Sequence, residues 1–273
     1  MNYSLKYLLT NWLVIISSIV LTIRFHYIYP ITFLIIANRQ FANYLVGHDA
    51  IHGLISKNKI VNDFIGRFLC LNPVFVSFES YQINHIAHHE YLGTNIDPDK
   101  ALFNFYPIKF KKYMCGLFVY FISSKLLIDF ISYFTPFRMM IKTRNLKRFF
   151  EFDLLSFVVF QALLFFMINR FQLWREFLFL WILPILLMIP YYYFVSALQH
   201  GGLYLNTSPD NSRNIEGTAL LMEILLPCNT NYHGIHHEYP KVPFYGLPKI
   251  FRTKGMKGES YIECIRSLFE ATK

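Results

Sequence analysis

Residues 177–200 read FLFLWILPILLMIPYYYFVSALQH, and from Phe177 through Gln199 no side chain carries a charge. At about 1.5 Å rise per residue, a helix of this length covers the roughly 30 Å of hydrocarbon in a bilayer. The stretch moves the chain out of the soluble classes. Composition agrees, at 54% hydrophobic and 19% aromatic residues against 16% charged, an apolar balance rare among soluble domains.

Working outward, residues 154–169 are also free of charge and join the first run through the short polar link Asn169–Glu176. Nearer the N-terminus, residues 7–23 carry no charge and residues 25–47 only Arg39, with Pro30 where a tight turn or first helical turn would separate two helices. The expected fold is an all-α integral membrane protein with four transmembrane helices, at about 7–24, 28–48, 152–169 and 177–199. They form two hairpins beneath a helical cap made of segments 49–150 and 200–273, with residues 1–273 as a single membrane-embedded domain. The shortest run needs the flanking aromatics Phe150, Phe152 and Phe171 to reach across. Between Cys115 and Phe134, Lys125 and Asp129 share one helical face, which suits a helix lying in the interface. The N-terminal run lacks a small-x-small cleavage site and reads as a retained first span.

The formal charge of +9 is spread among apolar runs with no separate basic domain. That favours anionic lipid as the partner and argues against nucleic acid. With four spans, all lysines and arginines except Arg24, Arg39, Arg170 and Arg175 fall on one side, which the positive-inside rule makes cytoplasmic. Arg39, inside a span, is expected to snorkel. Cys70, Cys115, Cys228 and Cys264 lie far apart with no CxxC pair, which excludes a disulfide framework and a zinc-thiolate site.

The histidines are clustered on that same side, His26 alone excepted. His48 and His52 form HDAIH; His85, His88 and His89 form HIAHH; His200 closes the opening run; His233, His236 and His237 form HGIHH. Positions four apart share a helical face, so each box presents at least two imidazoles together, as chelation of a metal requires. Random placement would produce on the order of 0.01 HxxHH matches per chain. His200 follows the fourth run as His48 follows the second, so both are expected at one site. His26 stands alone and reads as an ordinary interfacial residue. Nine imidazoles exceed the three or four that zinc takes and point to two metals, although imidazole alone does not choose among iron, copper, nickel and zinc. Asp49, Glu90, Asp97 and Asp99 lie close enough in sequence to be candidates for holding the second ring nitrogens, and each reads equally well as a solvated loop charge. Asn229 and Asn231 suit a turn before the last box.

The boxes come with flanking text: NDFIGRFLC at 62–70, NHIAHHEYLGTNIDPD at 84–99 and NYHGIHHEYPKVPFYGLP at 231–248. In order and context, from about His48 to Arg252, the chain resembles the membrane-bound fatty acid desaturase family. The resemblance implies a non-haem centre of two iron ions held by His48, His52, His85, His88, His89, His200, His233, His236 and His237, with O2 as co-substrate. It also implies a cytoplasmic catalytic cap, a narrow apolar passage for a lipid or acyl substrate, and oxygen-dependent insertion of a double bond. Asp97 and Asp99 are favoured second partners because their DPD pattern resembles the family's. Gln199 stands where many relatives have an acid, and Glu238 and Tyr239 replace a commoner apolar and aromatic pair. No HPGG segment is present, so electrons are expected from a separate donor such as ferredoxin or a small haem protein.

Three other readings compete. A di-iron hydroxylase or ketolase acting on a carotenoid, sterol or alkane would use the same boxes. An intramembrane zinc protease would need Glu at the position of Asp49. A histidine-rich metal-binding or transport protein would place ionisable groups near the bilayer midplane, whereas these histidines lie beyond the span ends.

Overall fold

The structure is a computed structural model, and it describes residues 3–99, 152–201, 203 and 211–270. The expected interfacial helix at Cys115–Phe134 lies outside these residues. The chain divides into two compact units: Met1–Tyr81 with Ile131–Ile189, and Gln82–Phe130 with Pro190–Lys273.

In the first unit, α1 (Tyr3–Arg24) buries Ser4, Leu8, Asn11, Ile15, Ser18 and Thr22, a four-three spacing that draws one narrow seam along the helix. Leu9, Leu13, Ile16 and Val20 face outward. The polarity is partly inverted relative to a soluble helix: four of the six buried residues are small or polar, and large apolar groups face the surroundings, as suits a helix in lipid. A 3-10 turn at His26–Ile28 leads into α2 (Tyr29–Ile51), with Pro30 in its first turn. The hydroxyls of Thr22 and Thr32 meet at 2.6 Å across this hairpin. The Nη1 of Arg39 donates to Asn11 Oδ1 at 3.2 Å and to the Tyr7 hydroxyl at 3.5 Å, both on α1.

Asn58 caps α3 (Lys59–Phe64) by accepting from the Ile60 N–H at 2.9 Å. The helix continues as a π-helical turn over Ile65–Leu71 that packs closely on α2. A Cβ added to Gly66 would lie 2.5 Å from that of Ala50, and one added to Gly47 would lie 2.6 Å from Leu71 Cδ2, so both glycines are required by close approach. The segment Lys59–Val74 then bends by 96° into α4 (Phe78–Tyr91). Beside this bend the guanidinium of Arg67, 2% exposed, pairs with Asp153 and lies 3.4 Å from Glu79, between the rings of Phe78 and Phe152. Ser77 donates to the same Asp153.

α5 (Leu154–Arg170) repeats the inverted pattern, with Ser156 and Gln161 buried and Leu155, Val159, Leu163 and Phe166 exposed. α6 (Trp174–His200) contains a π-helical turn at Leu178–Ile182 and Pro190 within its length. The indoles of Trp12 and Trp181 stack at 5.8 Å, and each N–H donates to a backbone carbonyl, of Leu69 and Pro73 respectively, at 2.9 Å.

α1 and α6 are each long and apolar enough to cross a bilayer. The other two expected spans are helices in the expected places. α2 has 23 residues, but Asn38, Arg39, Gln40 and Asn43 lower its hydropathy below that of a self-evident span. α5 is apolar but has only 17 residues, roughly 25 Å of helix.

The second unit contains the C-terminal parts of α4 and α6, then β1 (Ile215–Glu216), α7 (Ala219–Leu225), α8 (His233–Glu238), α9 (Leu247–Thr253), β2 (Glu259–Ser260) and α10 (Tyr261–Glu270). The all-helical expectation needs one amendment here, because β1 and β2 pair in parallel, Ile215 with Glu259 and Glu216 with Ser260. Ile235 of α8 buries itself with Leu247 and Phe251 of α9, which leaves the opposite face of α8 to its histidines.

Candidate metal centre

Three helices of the second unit carry seven histidines, and local structure fixes how each is presented. α4 supplies His85, His88 and His89, the C-terminus of α6 supplies His200, and α8 supplies His233, His236 and His237. The short α8 is held at its start by neighbouring chain: Asn214 Oδ1 accepts from Ile235 N at 3.0 Å, and Arg213 O from Gly234 N at 3.1 Å. A Cβ on Gly234 would come within 2.9 Å of the Asn214 amide, so glycine permits this approach. The Arg213 side chain donates to Leu198 O at the end of α6 and pairs with Glu259 of β2. Residues 213–214 thereby tie the ends of α6 and α8 together.

The imidazoles converge in two sets. His89 Nε2 lies 2.9 Å from His85 Nε2 and 3.0 Å from His236 Nε2. His233 Nε2 lies 2.8 Å from His200 Nε2 and 3.0 Å from His237 Nε2, and His88 belongs to this second set. A ring nitrogen has one hydrogen or one lone pair, never both, so it cannot satisfy two nitrogen neighbours by hydrogen bonding. The separations fit another arrangement. Nitrogens each about 2.1 Å from one shared first-row metal ion would stand roughly 3.0–3.4 Å apart, so separations of this order suit imidazoles gathered round an ion. The rings of His89 and His237 approach to 4.4 Å between centroids, which places the sets side by side.

Second nitrogens are held as metal ligands require. His88 Nδ1 lies 3.1 Å from both carboxylate oxygens of Asp97, with Asp99 Oδ2 at 3.8 Å. Asn84 donates to Asp99 at 2.9 Å, and the Asp99 N–H donates to Asp97 at 2.7 Å, so the DPD turn is braced before it touches the histidine. Asn211 O accepts from His200 Nδ1 at 3.0 Å. Burial, reinforced by His233 and other neighbouring imidazoles, holds His237 well below the usual histidine range, which keeps its lone pair free at neutral pH. The donor set is all nitrogen, with no cysteine among it, and suits iron, zinc or copper.

His48 and His52 lie in the first unit, one turn apart on α2 and its C-cap, with ring centroids 4.9 Å apart; burial lowers His52 to about 4. His26 is exposed and bonds Thr22 O, apart from any histidine group. Glu90 is exposed and bonded to Tyr91, so it does not back a ring nitrogen, whereas Asp49 is buried on α2. Asn229 takes a left-handed turn conformation and Asn231 donates to Ile215 O, both shaping the approach to α8. Gln199 donates to Thr230 O at 2.8 Å and anchors the same approach. Glu238 pairs with Lys254, whose ammonium also lies over the Tyr239 ring. The positions that depart from the family pattern therefore serve scaffold and surface. Arg213, Asn214 and Asn211 were not anticipated, since nothing in their local sequence marks them.

Apolar helices of membrane length thus stand beside a polyhistidine centre able to hold metal. The family model described as fatty acid desaturase matches residues 25–263, and the chain belongs to that family. It is 38% identical over 87 residues to the sn-1 acyl-lipid omega-3 desaturase (ferredoxin) of Synechocystis sp., covering 32% of this chain and 23% of that protein. It is 35% identical over 75 residues to dihydrorhizobitoxine desaturase of Bradyrhizobium elkanii, 27% of this chain and 20% of that protein. Against the omega-3 fatty acid desaturase, endoplasmic reticulum, of Nicotiana tabacum, identity is 23% over 261 residues, 86% of this chain and 67% of that protein. The chain thus spans only 23% of the length of the cyanobacterial relative it matches.

Proposed function

We propose that the protein is an oxygen-dependent desaturase that introduces a double bond into a fatty acyl chain. The observation that carries this reading is the convergence of two sets of Nε2 atoms, on His89 and on His233, in a member of this family. Two iron ions would be held by His85, His88, His89, His200, His233, His236 and His237, together with His48 and His52 from the first unit. Residues 1–273 would act as one domain, with four spans and the histidines on the cytoplasmic side. A separate donor would supply electrons; the Synechocystis relative, named for ferredoxin, supports that choice.

When bound, iron would activate O2 for removal of hydrogen from an unactivated methylene, chemistry that no acid-base side chain provides. The acyl chain loses two hydrogens from adjacent carbons, and two donor electrons with two protons complete reduction of O2 to two waters. The chain's own residues hold and orient. Asp97 fixes the His88 ring with Nε2 free, and Asn211 O does the same for His200. Arg213 and Asn214 keep α6 and α8 from parting as ligands are loaded. Burial of His88, His200 and His236 excludes bulk water from the donor atoms.

The test is expression in a bacterium without desaturases, with ferredoxin and its reductase supplied, beside a control carrying His88→Ala and His89→Ala. Mass spectrometry of total lipid should show acyl chains lighter by two hydrogens, dependent on oxygen and absent from the control. Acyl or carotenoid products heavier by one oxygen would overturn desaturation in favour of hydroxylation.

A further inference from the structure

We propose that a cleft at the turn-bearing ends of α1, α2 and α6 binds the headgroup of a phosphatidylethanolamine-type lipid, a site separate from the metal centre. The cleft has a volume of about 290 Å³, at the lower end of small-molecule clefts. Ile23, Tyr29, Phe179 and Leu180 form its apolar wall. Tyr29 donates its hydroxyl to Phe179 O at 3.1 Å, which ties the start of α2 to α6.

The polar lining determines the ligand. Arg175 and Glu176, adjacent in the chain, both line the cleft, and among the described residues neither forms an ion pair. Two opposite, uncompensated charges at one cleft match a ligand that itself carries both signs. Arg175 would donate to a phosphate and Glu176 would accept from an ammonium. His26 adds discrimination. Its Nδ1 donates to Thr22 O at 3.1 Å, which in the neutral ring leaves the Nε2 lone pair for a donor. An acceptor there favours a primary ammonium, which has hydrogens to donate, over a quaternary one, which has none.

Depth in the bilayer agrees. The cleft lies at the ends of α1 and α6, the two helices apolar enough to cross, and Phe25, Tyr27, Phe171 and Trp174 are exposed around those ends. Such aromatics concentrate at the headgroup level. Exposed apolar side chains such as Val20 and Ile23 on α1 continue from the cleft along the surface that acyl tails would cover.

The experiment uses the full chain in phosphatidylcholine nanodiscs doped with phosphatidylethanolamine or phosphatidylglycerol, released and analysed by native mass spectrometry for retained lipid. The wild type should retain phosphatidylethanolamine above either other lipid. Arg175→Ala and Glu176→Gln should each lower that retention about tenfold, as loss of a charged hydrogen bond would, and Glu176→Asp should restore it. Only Arg175→Ala should reduce retention of phosphatidylglycerol. Equal retention of the three lipids by the wild type, or unchanged phosphatidylethanolamine in both variants, would overturn the proposal. Thermal melting of each variant reports folding separately.

Discussion

His88 Nδ1 sits 3.1 Å from both oxygens of Asp97, and both side chains are buried. A carboxylate in this position holds the proton on Nδ1 and leaves Nε2 as the donor to metal. Asp97→Asn should therefore lower iron affinity by about 10–100-fold while the fold persists. Competition with a graded series of chelators measures the affinity, and an unchanged value would remove Asp97 from the centre.

His233 Nε2 is the shared neighbour of His200 and His237, so its loss disturbs more than one donor pair. His233→Ala should lower both iron content and activity, with His200→Ala close behind, whereas His26→Ala should leave both near wild type. Elemental analysis and Mössbauer spectra decide the point. A single zinc with no coupled iron would contradict the two-iron proposal.

The buried Arg67–Asp153 pair predicts a sign in a double-mutant cycle. Arg67→Met alone leaves Asp153 buried without its cation and should cost about 3–5 kcal/mol. Adding Asp153→Asn should recover part of that loss, because the stranded charge is gone. Unfolding in mixed micelles measures both, and strictly additive losses would show that the pair is not coupled.

Burial and the nearby Glu259 carboxylate push the Cys264 thiol up to about 12. Raising the pKa of an acid shrinks its ionised fraction, and alkylation needs the thiolate. At pH 8, Cys264 should react roughly a thousandfold more slowly than a free cysteine of ordinary pKa. Glu259→Gln should speed it. Peptide mapping after timed alkylation provides the rates.

All ligands of one centre must share a compartment, which four spans allow. Reporter fusions after Asn58, Arg170 and Lys273 should report cytoplasm, exterior and cytoplasm. Opposite sides for the first and last would break the four-span proposal.

The gathering of histidines in the second unit was legible from sequence because HxxHH writes helical geometry into adjacent letters. Asp97 was legible for a similar reason, lying a few residues from the ring it holds. Asn211 was not, since a backbone carbonyl leaves no mark on residue type. Arg67 and Asp153 are 86 residues apart in the chain, and no local pattern links them. The charge-free runs located the helices well, yet α2 shows what such counts miss. Its Gln40 and Asn43 face inward, so a helix that reads as half polar can still present an apolar exterior.

The seam of α1 bears on how the protein is made. A nascent α1 alone would present the Asn11 side chain without the Arg39 guanidinium, whereas Thr22 already donates to Ser18 O at 2.8 Å within the helix. The contacts that fill the α1 seam, Asn11 with Arg39 and Thr22 with Thr32, therefore belong to the α1–α2 pair and form only once both helices stand side by side.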